Sequence, residues 1–180
     1  GRRRAGTVSD LQSIAQAQGI TVHITPLEIA GRERISSSAI RDALVAGDLK
    51  KANHLLGRPY ALMGSVVHGQ HLGRTLGFPT ANLDLPSCKF VPRTGVYAAQ
   101  AWPQKADSAI PCVVNIGYRP TVPGKHRAIE AHLLDWSGDL YGQVLKVDLH
   151  HFLRAEQSFS SLDALKVQIE QDCQIARSQV

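Results

Sequence analysis

The residue pattern of the chain changes at Gly57-Arg58-Pro59, from helical segments to short β-forming runs. This change constrains the fold more than any other feature of the sequence. After Pro59, short runs of β-forming residues alternate with Gly, Pro, Asn and Asp, as expected for strands joined by turns. Five such runs are Ala61–His68, Val96–Trp102, Cys112–Ile116, Ile129–Leu134 and Val144–Leu149. Strands at this close spacing are typical of an antiparallel barrel or sandwich. We therefore predict a mainly β domain over residues 58–180.

The end of the chain returns to a helical pattern. Ser160-Ser161-Leu162-Asp163 resembles a capping box, with Asp in place of the usual Glu or Gln. Apolar residues then recur at helical spacing and define one face of the predicted helix. They are Leu162, Leu165, Ile169, Cys173 and Ala176. We expect this face to pack against the barrel.

Residues 1–57 carry a different pattern, in which helical segments surround one strand-like segment. Ser9 is a candidate N-cap for a helix that ends at Gly19. Apolar and polar residues alternate over residues 20–24, which predicts a strand that Pro26 closes. Because one strand cannot form a sheet, we expect this stretch to be the tail of a larger α/β domain, cut on its N-terminal side.

Two further helices are predicted before the change in character. Ser37 or Ser38 is a candidate cap for the first of them, and Gly47 ends it. Asp48 is a candidate cap for the second, which ends at Gly57. The boundary between the two segments is therefore predicted to follow Gly57 directly.

Composition narrows the class of protein. At 43% hydrophobic and 19% charged residues, the chain has a globular composition, which excludes collagen-like and disordered chains. It has neither a leader-like start nor an apolar run of the roughly 18 residues that span a bilayer. The three cysteines lack CxxC spacing, which argues against disulfide and zinc frameworks. We therefore expect a cytoplasmic protein, and its net charge of +5 fits an anionic partner, either a nucleic acid or a nucleotide.

The first candidate for chemistry is a glycine-rich stretch, in which Gly69, Gly73 and Gly77 recur every four residues. Such spacing can expose backbone N–H groups to an anion, and Arg74 and Thr75 add a charge and a hydroxyl. The stretch matches neither the P-loop GxxxxGK[ST] nor the dinucleotide-binding GxGxxG. From the glycines alone, an ordinary surface loop remains an alternative.

Thr80 and Asn82 follow this stretch, directly after Pro79. In an extended segment, side chains two residues apart point the same way. Two neutral oxygens side by side suit Mg²⁺, which takes further ligands from waters and phosphates. A turn at Thr-Ala-Asn is the alternative that the residues alone leave open.

Glu130 is the second candidate for chemistry. Ile129, Ala131 and Leu133 would form one face of its strand, so that Glu130 and His132 share the other. Near a bound phosphate, a carboxylate can accept the proton of an attacking hydroxyl. The alternative is a glutamate that simply faces solvent.

The segment Leu76–Asn82, with the glycines before it, resembles the signature of the riboflavin kinase family. Further blocks that resemble this family follow in the family's order over about 120 residues. They are Gly95–Tyr97, Val114–Thr121, Ile129–Asp135, Asp139–Gly142 and Phe152–Phe159, ahead of the final helix.

The front of the chain resembles a second module. Gly1–Gly6 and Ile35–Arg41 are similar to the end of the FMN adenylyltransferase module, which bacterial bifunctional FAD synthetases carry ahead of the kinase. The resemblance makes this stretch a remnant of that module, and its candidate residues are Ser36, Ser37, Ser38 and Arg41. Ser38 stands where the family usually has Thr, and the His-x-Gly-His-type nucleotide site is missing. We therefore expect adenylyl transfer only in the longer, bifunctional enzyme.

The resemblance implies a six-stranded antiparallel Greek-key barrel with a C-terminal helix. It implies that ATP, with Mg²⁺ or another divalent metal, phosphorylates riboflavin to give FMN and ADP. Glu130 would be the base for the terminal ribityl hydroxyl, and Thr80 and Asn82 would hold the metal against the phosphates. Asn115 and Arg154 would contact the flavin. The residues implied to bind ATP are Gly69, Gly73, Arg74, Thr75, Gly77, Phe78, Pro79 and Thr80.

Two other classes of function compete with a kinase. The helices around Gly47 mimic a helix-turn-helix, and a small barrel can be an OB-fold, which would make the chain a nucleic-acid-binding module. Against this, no stripe of basic and aromatic residues is visible. A non-catalytic flavin-binding domain would need the flavin contacts but neither the metal pair nor Glu130. We expect small-molecule partners, with neither nucleic acid nor membrane among them.

Overall fold

The structure is a computed structural model, and it describes residues 6–26, 29–30, 33–69, 72–104, 106–118 and 127–180. The motif at residues 1–6 and the end of the Val114–Thr121 block thus fall largely outside the described residues. The chain forms two compact units, residues 1–34 and residues 35–180.

The first unit contains helix α1, Val8–Ala17, and two short paired strands, β1 at Ile29–Ala30 and β2 at Glu33–Arg34. The predicted cap of α1 was wrong. Thr7, not Ser9, caps this helix, because Asp10 at the third helical position closes a capping box with it.

The predicted strand at residues 20–24 was also wrong, because those residues take no strand conformation. Ile20 and Ile24 are more than half exposed, at 61% and 53%. Alternation marks a strand only where a neighbouring strand accepts its hydrogen bonds and covers its apolar face. No described residue pairs with this segment.

The second unit begins with helix α2, Ser37–Ala46, and helix α3, Leu49–Leu56. The cap of α2 is Ser36 rather than Ser37 or Ser38, whereas Asp48 caps α3 as predicted. Leu44, Leu49 and Ala52 are buried in the same core cluster as the barrel interior. The two helices therefore belong to the compact unit of the barrel, and a boundary between catalytic modules after Gly57 stays a prediction.

The predicted antiparallel barrel is confirmed. Its strands are β3 Tyr60–Val67, β4 Ala81–Asp84, β5 Gly95–Trp102, β6 Ile110–Tyr118, β7 Arg127–Leu133 and β8 Val144–Arg154. They close in the order β3-β4-β7-β6-β5-β8, and every neighbouring pair is antiparallel. Strands β5, β6 and β7 are consecutive neighbours, whereas β4, which precedes them in the chain, pairs with β7 in a Greek-key connection.

The strands divide their side chains between two apolar clusters. Large and small apolar residues such as Tyr97, Val114 and Leu149 fill the barrel interior and are fully buried. Val96, Ala98 and Val113 face the opposite way, into a smaller cluster that includes residues of the C-terminal helix. The outer wall of β5 and β6 is therefore covered by that helix.

The C-terminal helix, α5, spans Leu162–Gln179 and contacts β5, β6 and β8. Its predicted packing through Cys173 and Ala176 is confirmed, but Leu162 is 62% exposed and lies outside the packed face. Ser161 caps the helix through the N–H of Ala164. Asp163 is thus the second helical residue rather than the third, so the predicted capping box is not formed. Among the described residues, no helix is long and apolar enough to cross a membrane.

The glycine-rich stretch contains a short helix, which the sequence did not predict because glycine is unfavourable within helices. Helix α4 spans Leu72–Leu76 and ends at Gly77, whose φ of +90° favours glycine. The N–H of Phe78 then donates to the carbonyl of Gly73 at 2.8 Å, which turns the chain toward β4.

Candidate active site

Three polar residues lie side by side on adjacent strands of the barrel. Glu130 on β7 is paired with Asn82 on β4 and with Asn115 on β6. Directly opposed residues of antiparallel strands project to the same face, with Cβ atoms about 5 Å apart. Their neighbours Ala81 and Ala131 are buried in the barrel interior, so the three polar side chains belong to the outer face. Glu130 and Asn115 line one cavity together, and Asn82, which is 6% exposed, lies beside Glu130 on the neighbouring strand.

The predicted arrangement of β7 is confirmed by burial. Ile129, Ala131 and Leu133 are buried, whereas Glu130 and His132 are half-buried on the opposite face. Two polar side chains thus stand on the outer face of a strand whose inner face belongs entirely to the core.

The same row of paired residues continues to the predicted flavin contacts. Asn115 is paired with Val96 on β5, and Val96 is paired with Arg154 on β8. Both predicted flavin-binding residues, Asn115 and Arg154, therefore lie on the wall that carries Glu130.

A buried carboxylate on α5 holds Arg154. The Nε atom of Arg154 lies 3.1 Å from both carboxylate oxygens of Asp172, and the Nη2 atom of Arg154 lies 2.8 Å from Oδ2. Gln168 also donates to Asp172, at 3.1 Å, and the guanidinium lies 5.7 Å from the ring centre of Phe159. Because Asp172 is only 2% exposed, this fork fixes the guanidinium against α5.

A cavity of about 370 Å³ opens over this wall, between the barrel and α5. Its apolar lining includes Phe78, Phe159 and Ile169, and its polar lining includes Glu130 and Arg154. Apolar walls with a few directed polar groups are typical of sites that bind a flat, largely apolar ring system.

A second cavity, of about 680 Å³, lies beside the first. Its lining includes Arg74, Pro79, Thr80, Trp136 and Tyr141. Of the described residues that line the two cavities, Thr80 is the one that they share. Two ligands, one in each cavity, would therefore meet at Thr80.

Gly69 and the residues of α4 (the α4 segment) lie close to the predicted metal pair, Thr80 and Asn82. A Cβ at Gly69 would lie 2.6 Å from Cγ of Asn82, and a Cβ at Gly73 would strike the carbonyl of Phe78 and lie 3.5 Å from Cγ2 of Thr80. Any larger residue at either position would therefore push this segment away from the pair.

The remaining residues predicted for ATP lie at the surface of this segment. Arg74, Thr75, Gly77 and Pro79 are exposed, and Phe78 is half-buried against the smaller cavity. Arg74 lines the larger cavity. The exposed side chains of Arg74, which is positively charged, and Thr75, which carries a hydroxyl, suit the binding of an anionic ligand.

Thr80 and Asn82 fit a hard divalent cation. Asn82 lies on β4 and is 6% exposed, and Thr80 lies directly before that strand. Their placement on one side of the chain stays a prediction. Within the part of the chain that the structure describes, no three His, Cys, Asp or Glu side chains are grouped to hold a metal. A cation here would take neutral oxygens and complete its shell with ligand phosphates and waters, as Mg²⁺ does.

The adenylyltransferase-like residues are not part of this site. Ser36 accepts a hydrogen bond from the N–H of Ala39 at 3.1 Å, while Ser37, Ser38 and Arg41 are exposed along the start of α2. None of the four lines either cavity.

Two residues of the site were missed as functional candidates. Asp172 is a charged residue within the otherwise apolar face of α5, and that position was a signal that it pairs with something on the barrel. His132 was identified as a neighbour of Glu130 on its face but was given no role. Its Nδ1 lies 2.8 Å from the carbonyl oxygen of Pro79.

Comparison with known proteins agrees with the site. The chain is 42% identical over 178 residues to the bifunctional riboflavin kinase/FMN adenylyltransferase of Haemophilus influenzae, covering 99% of this chain and 57% of that protein. It is 45% identical over 177 residues to the Escherichia coli protein of the same description, covering 98% of this chain and 56% of the relative. The chain thus spans little more than half the length of these relatives.

A solved structure supports the architecture. A Streptococcus pneumoniae chain described as a macrolide-efflux protein matches with a TM-score of 0.81 and 32% identity, over 96% of this chain and 55% of that one. The profile of the flavokinase family, described as riboflavin kinase, matches residues 56–180, which include all six barrel strands and α5. The chain therefore belongs to the riboflavin kinase family.

Proposed function

We propose that this chain transfers the γ-phosphoryl group of ATP to the terminal ribityl hydroxyl of riboflavin, and that FMN and ADP are its products. The observation that carries this proposal is the meeting of two cavities at Thr80, with Asn82 and Glu130 beside it. A kinase needs two substrates held end to end, because phosphoryl transfer depends chiefly on positioning and on neutralisation of charge.

The smaller cavity suits riboflavin. Phe78, Phe159 and Ile169 offer apolar surface to the ring system, and Asn115 and Arg154 offer hydrogen-bond donors for its polar atoms. The flexible ribityl chain would then extend toward Glu130 and Thr80, which line the same cavity.

The larger cavity suits ATP. Arg74 supplies a positive charge, and the backbone of the α4 segment approaches Thr80 as closely as its glycines allow. The γ-phosphate would lie at the Thr80 end, where it faces the ribityl hydroxyl across the junction of the cavities.

Thr80 and Asn82 would hold Mg²⁺, or another divalent cation, through their side-chain oxygens. When bound, such an ion neutralises phosphate charge and orients the phosphates. The part played by the chain is to keep both oxygens on one side of β4 and to keep the α4 segment close above them.

Glu130 would act as the general base. As the ribityl oxygen forms its bond to the γ-phosphorus, the bond from that phosphorus to the bridging oxygen of ADP breaks, and the hydroxyl proton passes to the Glu130 carboxylate. Asn82 and Asn115, its paired neighbours on the adjacent strands, would flank this carboxylate beside the junction.

For a longer protein that contains this chain, we propose a second activity, the conversion of FMN and ATP to FAD. This proposal rests on the names of the bifunctional relatives and on the sequence around Ser36, Ser37, Ser38 and Arg41.

We also propose that the protein acts in the cytoplasm on small molecules, with neither nucleic acid nor membrane as a partner. Its three free cysteines support a reducing compartment.

A product assay tests the kinase proposal. The chain is incubated with riboflavin and MgATP, and riboflavin, FMN and FAD are separated by chromatography. We expect FMN without FAD, and we expect Glu130→Gln to lose most turnover while its riboflavin affinity stays within about twofold, because a base acts on the transition state.

Two outcomes would contradict the proposal in different ways. Riboflavin binding without FMN would leave a non-catalytic flavin-binding domain. A Glu130→Gln variant that turns over like the unaltered protein would remove Glu130 from the mechanism but leave the kinase assignment standing.

A further inference from the structure

His132 makes a hydrogen bond that bears directly on the predicted metal pair. Its Nδ1 lies 2.8 Å from the carbonyl oxygen of Pro79, the residue before Thr80. Because a carbonyl oxygen only accepts, Nδ1 carries the proton and donates it, which assigns the tautomer of a neutral ring. The ring also packs edge-to-face against Phe78, with centroids 5.5 Å apart and planes at 86°.

This hydrogen bond lies where the strand ladder stops. The pairing of β4 with β7 runs from Asn82 and Glu130 to Ala81 and Ala131 and ends there. Continued by one step, the same register brings Thr80 opposite His132. One residue beyond that register, the carbonyl of Pro79 accepts its hydrogen bond from the His132 side chain.

The segment Phe78–Thr80 is also held from its other side. The N–H of Phe78 donates to the carbonyl of Gly73 at 2.8 Å, and Gly73 approaches that segment too closely for any side chain. Helix α4 and His132 therefore hold Phe78–Thr80 between them. Without the imidazole, one of these two restraints on the Thr80 backbone is lost.

We propose that His132 is a positioning residue for the divalent cation: its hydrogen bond to Pro79 sets the place of Thr80 relative to Asn82. This inference rests on the proposed role of Thr80 and Asn82 as holders of the metal. It gives the two polar residues on the outer face of β7 separate tasks. Glu130 acts on the substrate hydroxyl, and His132 acts through the backbone on the site of the cation.

Three variants test the proposal. His132→Phe keeps an aromatic ring beside Phe78 but removes the donor, and His132→Asn keeps a donor near the place of Nδ1. His151→Phe is the matched control, because His151 is an exposed histidine of β8 that lines neither cavity. Three quantities are measured for each: the Mg²⁺ concentration for half-maximal rate, the riboflavin affinity by fluorescence, and Mn²⁺ binding in the presence of ADP by electron paramagnetic resonance.

For His132→Phe we expect the half-maximal Mg²⁺ concentration to rise roughly tenfold, the effect of one lost hydrogen bond of ordinary strength. Mn²⁺ affinity should fall by the same factor. His132 also lines the smaller cavity, but because His132→Phe keeps an aromatic ring there, riboflavin affinity should stay within about twofold. His132→Asn should recover most of the metal affinity, and His151→Phe should match the unaltered protein.

Several results would overturn the inference. Unchanged metal dependence in His132→Phe would do so, and so would a loss of riboflavin affinity and rate with no change in Mn²⁺ binding. If His132→Phe fails to fold, His132→Asn decides, because the proposal requires it to fold and to bind Mn²⁺ with nearly the original affinity.

Thr80→Ala and Asn82→Ala separate this inference from the proposed function. If both change the metal dependence but His132→Phe does not, only the role of His132 is wrong. If neither changes it in an active kinase, the proposed metal site is wrong and the role of His132 falls with it.

Discussion

The pair formed by Arg154 and Asp172 offers a way to separate folding from flavin binding. Asp172→Asn removes the negative charge with little change of shape. Arg154 would keep its place on β8, but its fork of three contacts at 2.8–3.1 Å would face a neutral amide. The guanidinium is mostly buried, with 20% of the side chain exposed, so that water can only partly replace the lost partner.

The size of the effect follows from that burial. Removal of one partner from a buried ion pair costs about 3–5 kcal/mol, because the other charge is left uncompensated. We take the lower end, about 3 kcal/mol, since Arg154 retains some exposure. For a chain of this size each kcal/mol lowers the melting temperature by roughly 2–4 °C, so we expect Asp172→Asn to lower it by about 6–12 °C.

A double variant then separates the two roles. Arg154→Met with Asp172→Leu replaces the ion pair by apolar side chains of similar size, a change that is often neutral for stability. We therefore expect the double variant to melt close to the unaltered protein. Riboflavin affinity, measured by fluorescence at a temperature where both proteins are folded, should nevertheless fall about tenfold or more, because the proposed donor to the flavin is gone.

Two results would refute this reasoning. If Asp172→Asn melts within about 1 °C of the unaltered protein, the pair does not stabilise the packing of α5. If the double variant binds riboflavin with normal affinity, Arg154 holds α5 in place but does not contribute to riboflavin binding.

Three further outcomes are expected. Gly69→Ala should lower turnover and raise the Mg²⁺ requirement in kinetic titrations, because its Cβ would lie 2.6 Å from Cγ of Asn82; normal metal dependence would show that the loop can move aside. Burial raises the pKa of Cys173 to about 11, so iodoacetamide should label the exposed Cys88 first and Cys173 only on unfolding, as read by mass spectrometry. Burial lowers the pKa of His150, so its neutral form favours the folded state; the free energy of unfolding should fall as the pH drops below about 6.5, and His150→Phe should weaken that fall in urea denaturation.

Local patterns predicted those parts of the fold that local physics decides. The alternation of Ile129–Leu133 predicted which side of β7 would be buried, because strand geometry leaves only two faces. The glycine after each short helix marked its end, because Gly47 and Gly57 both take positive φ values. Strand β4 was missed as an element, since four residues are too few for a periodic pattern, although Asn82 was correctly expected to lie in an extended segment.

The two errors at the front of the chain have different causes, one local and one tertiary. Ser9 is as good a cap as Thr7 in isolation, and the choice depended on which of them had Asp10 three residues later. The apolar alternation of residues 20–24 matched a strand but lacked a neighbour to pair with.

The contacts that build the site lie beyond the reach of local patterns altogether. Arg154 meets Asp172 across 18 residues of chain, and His132 meets Pro79 across 53. No local pattern indicates either pair. The resemblance to a family predicted which residues form the site, and the structure shows the contacts that Arg154 and His132 make there.

The alternation along β7 has a consequence for how such a protein can change over time. Glu130 and His132 point outward, and Ile129, Ala131 and Leu133 point inward, so the residues proposed for function and the residues of the core are interleaved on one short strand. Substitutions can therefore act on one property and spare the other. A one-residue insertion or deletion within this strand would instead exchange the two sets, turning the carboxylate into the core and the aliphatic residues toward the substrates. We expect evolution in this strand to proceed by replacement and not by changes of length.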